Sequence, residues 1–358
     1  MRVSLAGCFA SFWCMALLAL GGCSALALRA IDFAQPTVRT ELAAAGIADL
    51  RGQFAPVFCR HYSRYRQAGE PACGHWLAGA EAPETHPVAV LSPPGRPLAT
   101  VVLIPGIFGE CVGRWVTPYS HDRAELERLG YRVVVVPVSG RGSSELNAGQ
   151  IHAFFAETPV ERAIVIAYSK GTLDFMTAAA QPQAQSWSKR IGAFVSVAGV
   201  VNGTPLASHG ETLYDTLLAR MPLSLCQAQD GGGVASLAYL AAAKTRNAFA
   251  ALSKPYPSYS LAAVADERAV NPVLQQPYTL LARLDGRNDG QVLLEDAILP
   301  GSGFLGTFRA DHWSLTLPFE DSQEPLMRAF GTNNHFPRRA LITAVLDFVN
   351  SKQPGENK

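Results

Sequence analysis

Apolar residues come along this chain in short unbroken runs rather than in strict alternation with polar ones. Thr100–Ile104, Tyr131–Pro137, Ala163–Ile166 and Ile191–Ala198 are runs of this kind, and β-branched residues dominate them. A strand that is apolar on both faces must be covered on both faces, as in a parallel sheet packed between helices. Tyr278–Leu284 and Phe304–Phe308 read as the fifth and sixth main strands, and Val88–Leu91 as a short one set off by Pro93-Pro94-Gly95. His121–Gly130, Asn147–Ala156 and Arg338–Val349 carry helical spacing, and Gly130 closes the first of them. Thr37–Tyr65 also spaces Leu42, Ile47, Leu50, Phe54 and Phe58 as a helix, with Pro56 expected to interrupt it. Strands alternating with helices predict an α/β fold with a mostly parallel sheet covered on both faces.

One stretch breaks the alternation. Residues at about 202–277 carry helices of their own, with Gly231-Gly232-Gly233 as a hinge-like break before a helical Val234–Leu252. An insertion placed there would sit over the carboxyl edge of the sheet as a cap, either a mobile lid or a rigid excursion.

The composition suits a globular chain of 358 residues, 48% hydrophobic and 16% charged. A net charge of +1 without a basic run gives no footing for nucleic acid. No Cys/His cluster has the spacing of a metal site, and no cofactor is expected.

The richest chemistry lies in Arg162–Gly171, where a β-branched run leads into Ala167-Tyr168-Ser169-Lys170-Gly171 and then a helix-like segment. A serine on such a tight strand-to-helix turn has its hydroxyl exposed, provided that the residues two before and two after it are small. Ser169 is therefore the candidate nucleophile, the other reading being a helix-capping serine. A nucleophilic serine needs a base, an orienter for the base, and donors for an oxyanion. Asp285-Gly286-Arg287-Asn288-Asp289 follows one late strand, and Asp311-His312-Trp313 follows the last. Asp289 and His312 are the expected acid and base, with Asp285 and His335 as competitors. His209 lies in the insertion without an evident partner, and Asp311 is expected to order the His312 loop. Pro105-Gly106-Ile107-Phe108-Gly109 follows an early strand, and its Ile107 N–H is the expected oxyanion donor beside that of Lys170; Phe108 is the rival. The Lys170 side chain puts a cation beside the nucleophile. It would either favour an anionic substrate or point to solvent, and solvent is expected. Gly140-Arg141-Gly142-Ser143-Ser144 lacks the lysine of a phosphate cradle and reads as the loop opening the next helix.

The chain order Ser169, Asp289, His312, the Ala-x-Ser-x-Gly turn and the Pro-Gly-x-x-Gly loop resemble the α/β-hydrolase superfamily over roughly 88–350. The bacterial lipase and esterase branch is the nearest match. Gly203-Thr204-Pro205 also resembles a segment common in lipases, while Pro105 stands where that branch usually has His. The resemblance implies serine hydrolysis of carboxylic esters, of small molecules or lipids, through an acyl-enzyme. The alternatives are a thioesterase, amidase or polyester depolymerase on the same residues, or an idle hydrolase fold serving as an envelope binding protein.

The N-terminus reads as a targeting segment. Arg2 precedes apolar Ala6–Leu20, which is short for a membrane span, and Leu20-Gly21-Gly22-Cys23 resembles a bacterial lipobox. That resemblance implies cleavage before Cys23, a diacylglycerol anchor on it and, with Ser24 next, sorting to the outer membrane of the cell envelope. A plain secretory signal and a transmembrane anchor are the other readings. Export exposes Cys59, Cys73, Cys111 and Cys226 to an oxidising compartment. Cys59 and Cys73 flank a short polar loop and are the favoured pair, which leaves Cys111 for Cys226; free buried thiols are the alternative. The expected division is 1–22 signal peptide, 23–87 helical and disulfide-looped extension, 88–350 hydrolase domain with its cap, and 351–358 flexible tail.

Overall fold

The apolar runs do pair with one another, in a computed structural model that describes residues 45–78, 99–113, 115–209, 229–328, 330–331 and 334–352. The strands are β1 (Ala48–Asp49), β2 (Leu77–Ala78), β3 (Thr100–Ile104), β4 (Arg132–Val135), β5 (Ala163–Tyr168), β6 (Ile191–Val197), β7 (Ser258–Val264) and β8 (Gly303–Arg309). They form one sheet in the order β1-β8-β7-β6-β5-β3-β4, with β2 pairing β8 off that path. Every pairing is parallel except that of β2 with β8. The helices are α1 (Arg51–Tyr65), α2 (Arg123–Arg128), α3 (Ser144–Glu157), α4 (Lys170–Ala179), α5 (Tyr239–Ala250), α6 (Gln275–Ala282) and α7 (Arg338–Ser351), with shorter turns between them. This is the α/β-hydrolase fold.

Each face of the sheet has its own core. On one, α1 and α7 pack over β8, where Phe54 and Phe58 meet Phe308, and Phe54 meets Phe348, in edge-to-face contacts. On the other, α3 and α4 bury Ile151, Phe155, Phe175 and Met176 beneath Trp187. The central strand β5 is buried along its whole length, which is why its sequence is continuously apolar.

Four expectations need correction. Tyr278–Leu284 is not the fifth strand: most of it lies in α6, and β7 runs instead through Ser258–Val264. A short apolar run does not distinguish buried strand from helix by period, and Ser and Ala made the true strand look unlike one. Pro277 lies in the first turn of α6, where its missing N–H costs nothing. The excursion between β6 and β7 therefore ends before Ser258, inside the span expected for the cap. Second, the helix expected over Thr37–Tyr65 begins only at Arg51 within the described residues, Ala48–Asp49 being β1, and it runs through Pro56 without interruption; buried Phe54, Phe58 and Tyr62 on either side of Pro56 hold it against the sheet. Third, the Tyr131–Pro137 run is an edge strand, with Arg132 exposed and Val134 and Val135 only partly covered. Fourth, Val234–Leu252 is not one helix, because Ala238 at ψ 144° breaks it into a short turn and α5.

The described part of the excursion is fastened down: Phe249 is buried, and Thr245 meets Thr177 of α4 at 3.3 Å. A disulfide joins Cys59 of α1 to Cys73. Cys111 is also disulfide-bonded, while its expected partner Cys226 lies outside the described residues. The Val88–Leu91 strand, the signal segment with Cys23, and tail residues 353–358 likewise lie outside them. Among the described residues no helix is long and apolar enough to cross a membrane.

The Cys59–Cys73 link spans 14 positions and ties α1 to the turn leading into β2. Replacing Cys73 by Ser should cost about 3 kcal/mol of unfolding free energy, read as a lower urea midpoint than that of the parent.

Candidate active site

Ser169 sits between the end of β5 and the start of α4, at φ 56° and ψ −128°, a region that strains any residue with a Cβ. Its backbone is held from both sides. The Ser169 N–H donates to Val197 O at 3.1 Å, and its carbonyl accepts from the N–H of Thr172 at 3.1 Å and of Val200 at 3.2 Å. Crowding around the turn accounts for two glycines. A Cβ on Gly171 would lie 2.5 Å from Ile104 O, and one on Gly106 would lie 2.8 Å from Ser169 Cβ. Gly171 is thus demanded by the carbonyl end of β3, beyond any contact with Ala167.

The loops after β7 and β8 bring the two partners to the serine. His312 Nε2 lies 2.8 Å from Ser169 Oγ, and His312 Nδ1 lies 2.7 Å from Asp289 Oδ2. All three residues are buried. The other oxygen of Asp289 accepts the N–H groups of Gln291 and Val292 at 2.9 and 2.8 Å, which fixes the carboxylate's plane. The loops are also stitched through the main chain, since the His312 N–H donates to Asp289 O at 2.8 Å. Asp285, the competing acid, pairs instead with Arg287 at 2.7 Å, partly exposed. His335 is exposed at φ 46°. His209 belongs to the short helix Pro205–His209, and its side chain lies outside the described residues.

Asp311 does order the His312 loop. Its carboxylate accepts the N–H groups of Trp313 at 3.0 Å, Ser314 at 2.7 Å and, from another loop, Asn271 at 2.9 Å. Burial nevertheless pushes its carboxyl above the usual carboxylate range.

Two residues that grip this region carried no motif. Tyr168 donates its hydroxyl to His312 O at 2.8 Å, and burial raises its pKa well above the ordinary phenol value, so it stays a donor. Asn271 holds Phe330 O and Gly331 O through Nδ2, and its N–H reaches Asp311. Tyr168 could have been suspected from its place next to the serine. Asn271 gave no signal, because its partners in these loops lie 40 to 60 residues away.

The Pro105–Gly109 loop runs beside the serine. The Phe108 N–H, the rival oxyanion donor, is engaged by Gly140 O at 2.8 Å. Among the described residues the N–H groups of Ile107 and Lys170 donate to no backbone carbonyl; that of Lys170, first residue of α4, has no intrahelical acceptor. Pro105 takes part in bracing this loop: a Cβ on Gly109 would lie 2.6 Å from Pro105 Cβ.

The Lys170 side chain does not reach solvent, contrary to expectation. Its ammonium pairs with Asp174 at 2.6 Å, both side chains about 1% exposed. The i,i+4 spacing on α4 brings the two together, and the helix turns them inward beneath α3 rather than toward a ligand. Next to the serine is an apolar hollow lined by Ile107, Phe108, Val112, Val116, Trp313 and Phe319, with Gln291 as a polar wall.

No family model matches the chain, and no curated protein does. Among solved structures, the metagenomic carboxyl esterase MGS0156 superposes with a TM-score of 0.74 at 30% sequence identity, over 88% of this chain and 99% of that one. The chain belongs to the α/β-hydrolase superfamily. A Bacillus licheniformis lipase in its mature form aligns at 20% identity over 63% of this chain and 89% of its own, with a TM-score of 0.46. For this α/β hydrolase the meeting of Ser169, His312 and Asp289 occurs at the carboxyl ends of the parallel strands, where ligands bind in such sheets.

Gly106→Ala should push the Ser169 side chain aside, given a 2.8 Å approach to its Cβ. We expect the rate of Ser169 labelling by a fluorophosphonate to fall about tenfold or more, with mass spectrometry reading the labelled fraction against time.

Proposed function

We propose that this α/β hydrolase cleaves carboxylic esters by acyl transfer through Ser169. The observation that carries the reading is the buried relay from Asp289 through His312 to Ser169 Oγ, with separations of 2.7 and 2.8 Å. In it, Ser169 donates its hydroxyl proton to His312 Nε2 as Oγ attacks the ester carbonyl. Asp289 keeps the proton of His312 on Nδ1 and stabilises the imidazolium that forms. The carbonyl oxygen becomes an oxyanion and takes the N–H groups of Ile107 and Lys170. His312 then passes its proton to the leaving alcohol, and a water activated by the same imidazole releases the acid. The apolar hollow beside the serine suits an uncharged acyl or alcohol group. Likeness to a carboxyl esterase supports the ester as the bond cleaved. The same groups would serve thioesters, amides or polyesters, which a substrate panel separates.

Ser169→Ala should lower kcat about a thousandfold or more on p-nitrophenyl acetate, butyrate, octanoate or palmitate, with the parent's profile across the four giving its acyl-chain preference. Equal rates in the two proteins would remove Ser169 from the chemistry.

The proposal extends to location. The sequence from Arg2 to Cys23 supports export, cleavage before Cys23 and a lipid on its thiol, holding the enzyme at the outer membrane. Cys23→Ser should then move the protein from the membrane fraction to the soluble one, and intact-mass analysis should find the diacylglyceryl group on the parent only.

A further inference from the structure

The Lys170–Asp174 pair is a pair of charged groups that the proposed acyl transfer does not use. Burying it would be costly unless the remaining lone pairs of the carboxylate were satisfied, and they are. Asp174 Oδ1 also accepts from Ser144 Oγ at 2.7 Å, and Oδ2 accepts from Asn147 Nδ2 at 2.7 Å. Both of these donors belong to α3, so the carboxylate joins the nucleophile helix to its neighbour.

Asn147 carries the connection onward. Its Nδ2 donates to Ser139 O at 3.0 Å, and its Oδ1 accepts the Ser139 N–H at 3.0 Å. The next residue, Gly140, accepts the Phe108 N–H at 2.8 Å, and a Cβ on it would lie 2.7 Å from Phe108 Cα. Phe108 itself sits at φ 61° and directly follows Ile107. A continuous polar path therefore runs from Lys170 through Asp174, Asn147 and Ser139-Gly140 to Phe108. Its two ends are next to, or carry, the two N–H groups assigned to the oxyanion.

We infer that Asp174 and Asn147 are positioning residues that set the spacing between the Ile107 and Lys170 N–H groups. This rests on the functional reading above. Donors to an oxyanion must hold their places to within a fraction of an ångström, which directional bonds achieve and apolar packing, free to slide, does not. The excursion closes the network from outside. Asp230 accepts the N–H and Oγ–H of Ser143, and Ser236 Oγ accepts the Ser144 N–H at 2.9 Å.

Asn147→Ala is the decisive variant, because it cuts the path while leaving the Lys170–Asp174 pair intact. The Ser139 N–H keeps Gln150 Oε1 at 2.8 Å. Val349→Ala, in the buried face of α7 far from this path, supplies a destabilised control. All proteins are assayed on p-nitrophenyl butyrate well below their melting temperatures, beside Ser169→Ala, and with a trifluoromethyl ketone that captures the serine as an oxyanion. We expect Asn147→Ala to lower kcat about tenfold to a hundredfold with KM little changed. Ketone affinity should fall by a similar factor, while Val349→Ala keeps both. A folded Asn147→Ala with parental kcat and ketone affinity overturns the inference and leaves the esterase reading standing. A parent with no Ser169-dependent hydrolysis overturns both. Should Asn147→Ala fail to fold, Ser144→Ala removes one of the donors to Asp174 and is judged on the same two readouts.

Discussion

The backbone turn at Ser169 is the constraint around which the rest of the molecule is arranged. A non-glycine residue at φ 56°, ψ −128° persists only if its surroundings over-determine it. Here the sheet does so through register. Ile104 pairs with Ala167, and Tyr168 pairs with Val197, so the strands on either side end level with the serine. The carbonyls of Ile104 and Pro105 then press on Gly171, while Gly106 lies against the serine's own Cβ. Central strands buried on both faces cannot slip by one residue without turning their apolar side chains the wrong way, and this rigidity keeps the turn strained.

Around that fixed serine, the remaining groups are supplied by loops, which are intrinsically less ordered. The molecule compensates by holding those loops with main-chain bonds. His312 is bound at its N–H by Asp289 O and at its carbonyl by Tyr168. These bonds fix the backbone of His312, and the contacts of its two ring nitrogens with Asp289 and Ser169 fix the imidazole. Tyr168 links the two halves of the arrangement, since its backbone belongs to β5 and its hydroxyl to the His312 loop.

Much of this was legible in the sequence because the informative residues are adjacent in the chain. The Ala167–Gly171 turn and the Asp311-His312 pair each follow an apolar run that ends a strand, and the Asp289 turn follows one that folds as α6. Legibility failed where the deciding partner is remote. Lys170 could be read as a solvent-facing cation until Asp174, Ser144 and Asn147 were placed around it, although the four-residue spacing to Asp174 was available. Tyr278–Leu284 reads as the strand that Ser258–Val264 forms because a window of seven residues does not contain the sheet that selects between strand and helix. Pro56 did not break α1 because the aromatic side chains around it are buried against β8, and tertiary packing outweighed a local preference.

The short strands β1 and β2 have a role out of proportion to their length. Both pair with β8, one parallel and one antiparallel, and β8 would otherwise end the sheet with unpaired N–H and C=O groups. Such an open edge is a template on which a second chain can add a strand. The segment at 48–78 therefore covers much of that edge, and the disulfide within it ties α1 to the turn before β2. Among the described residues the sheet thus has one capped end, at β8, and another at which β4 pairs on a single side.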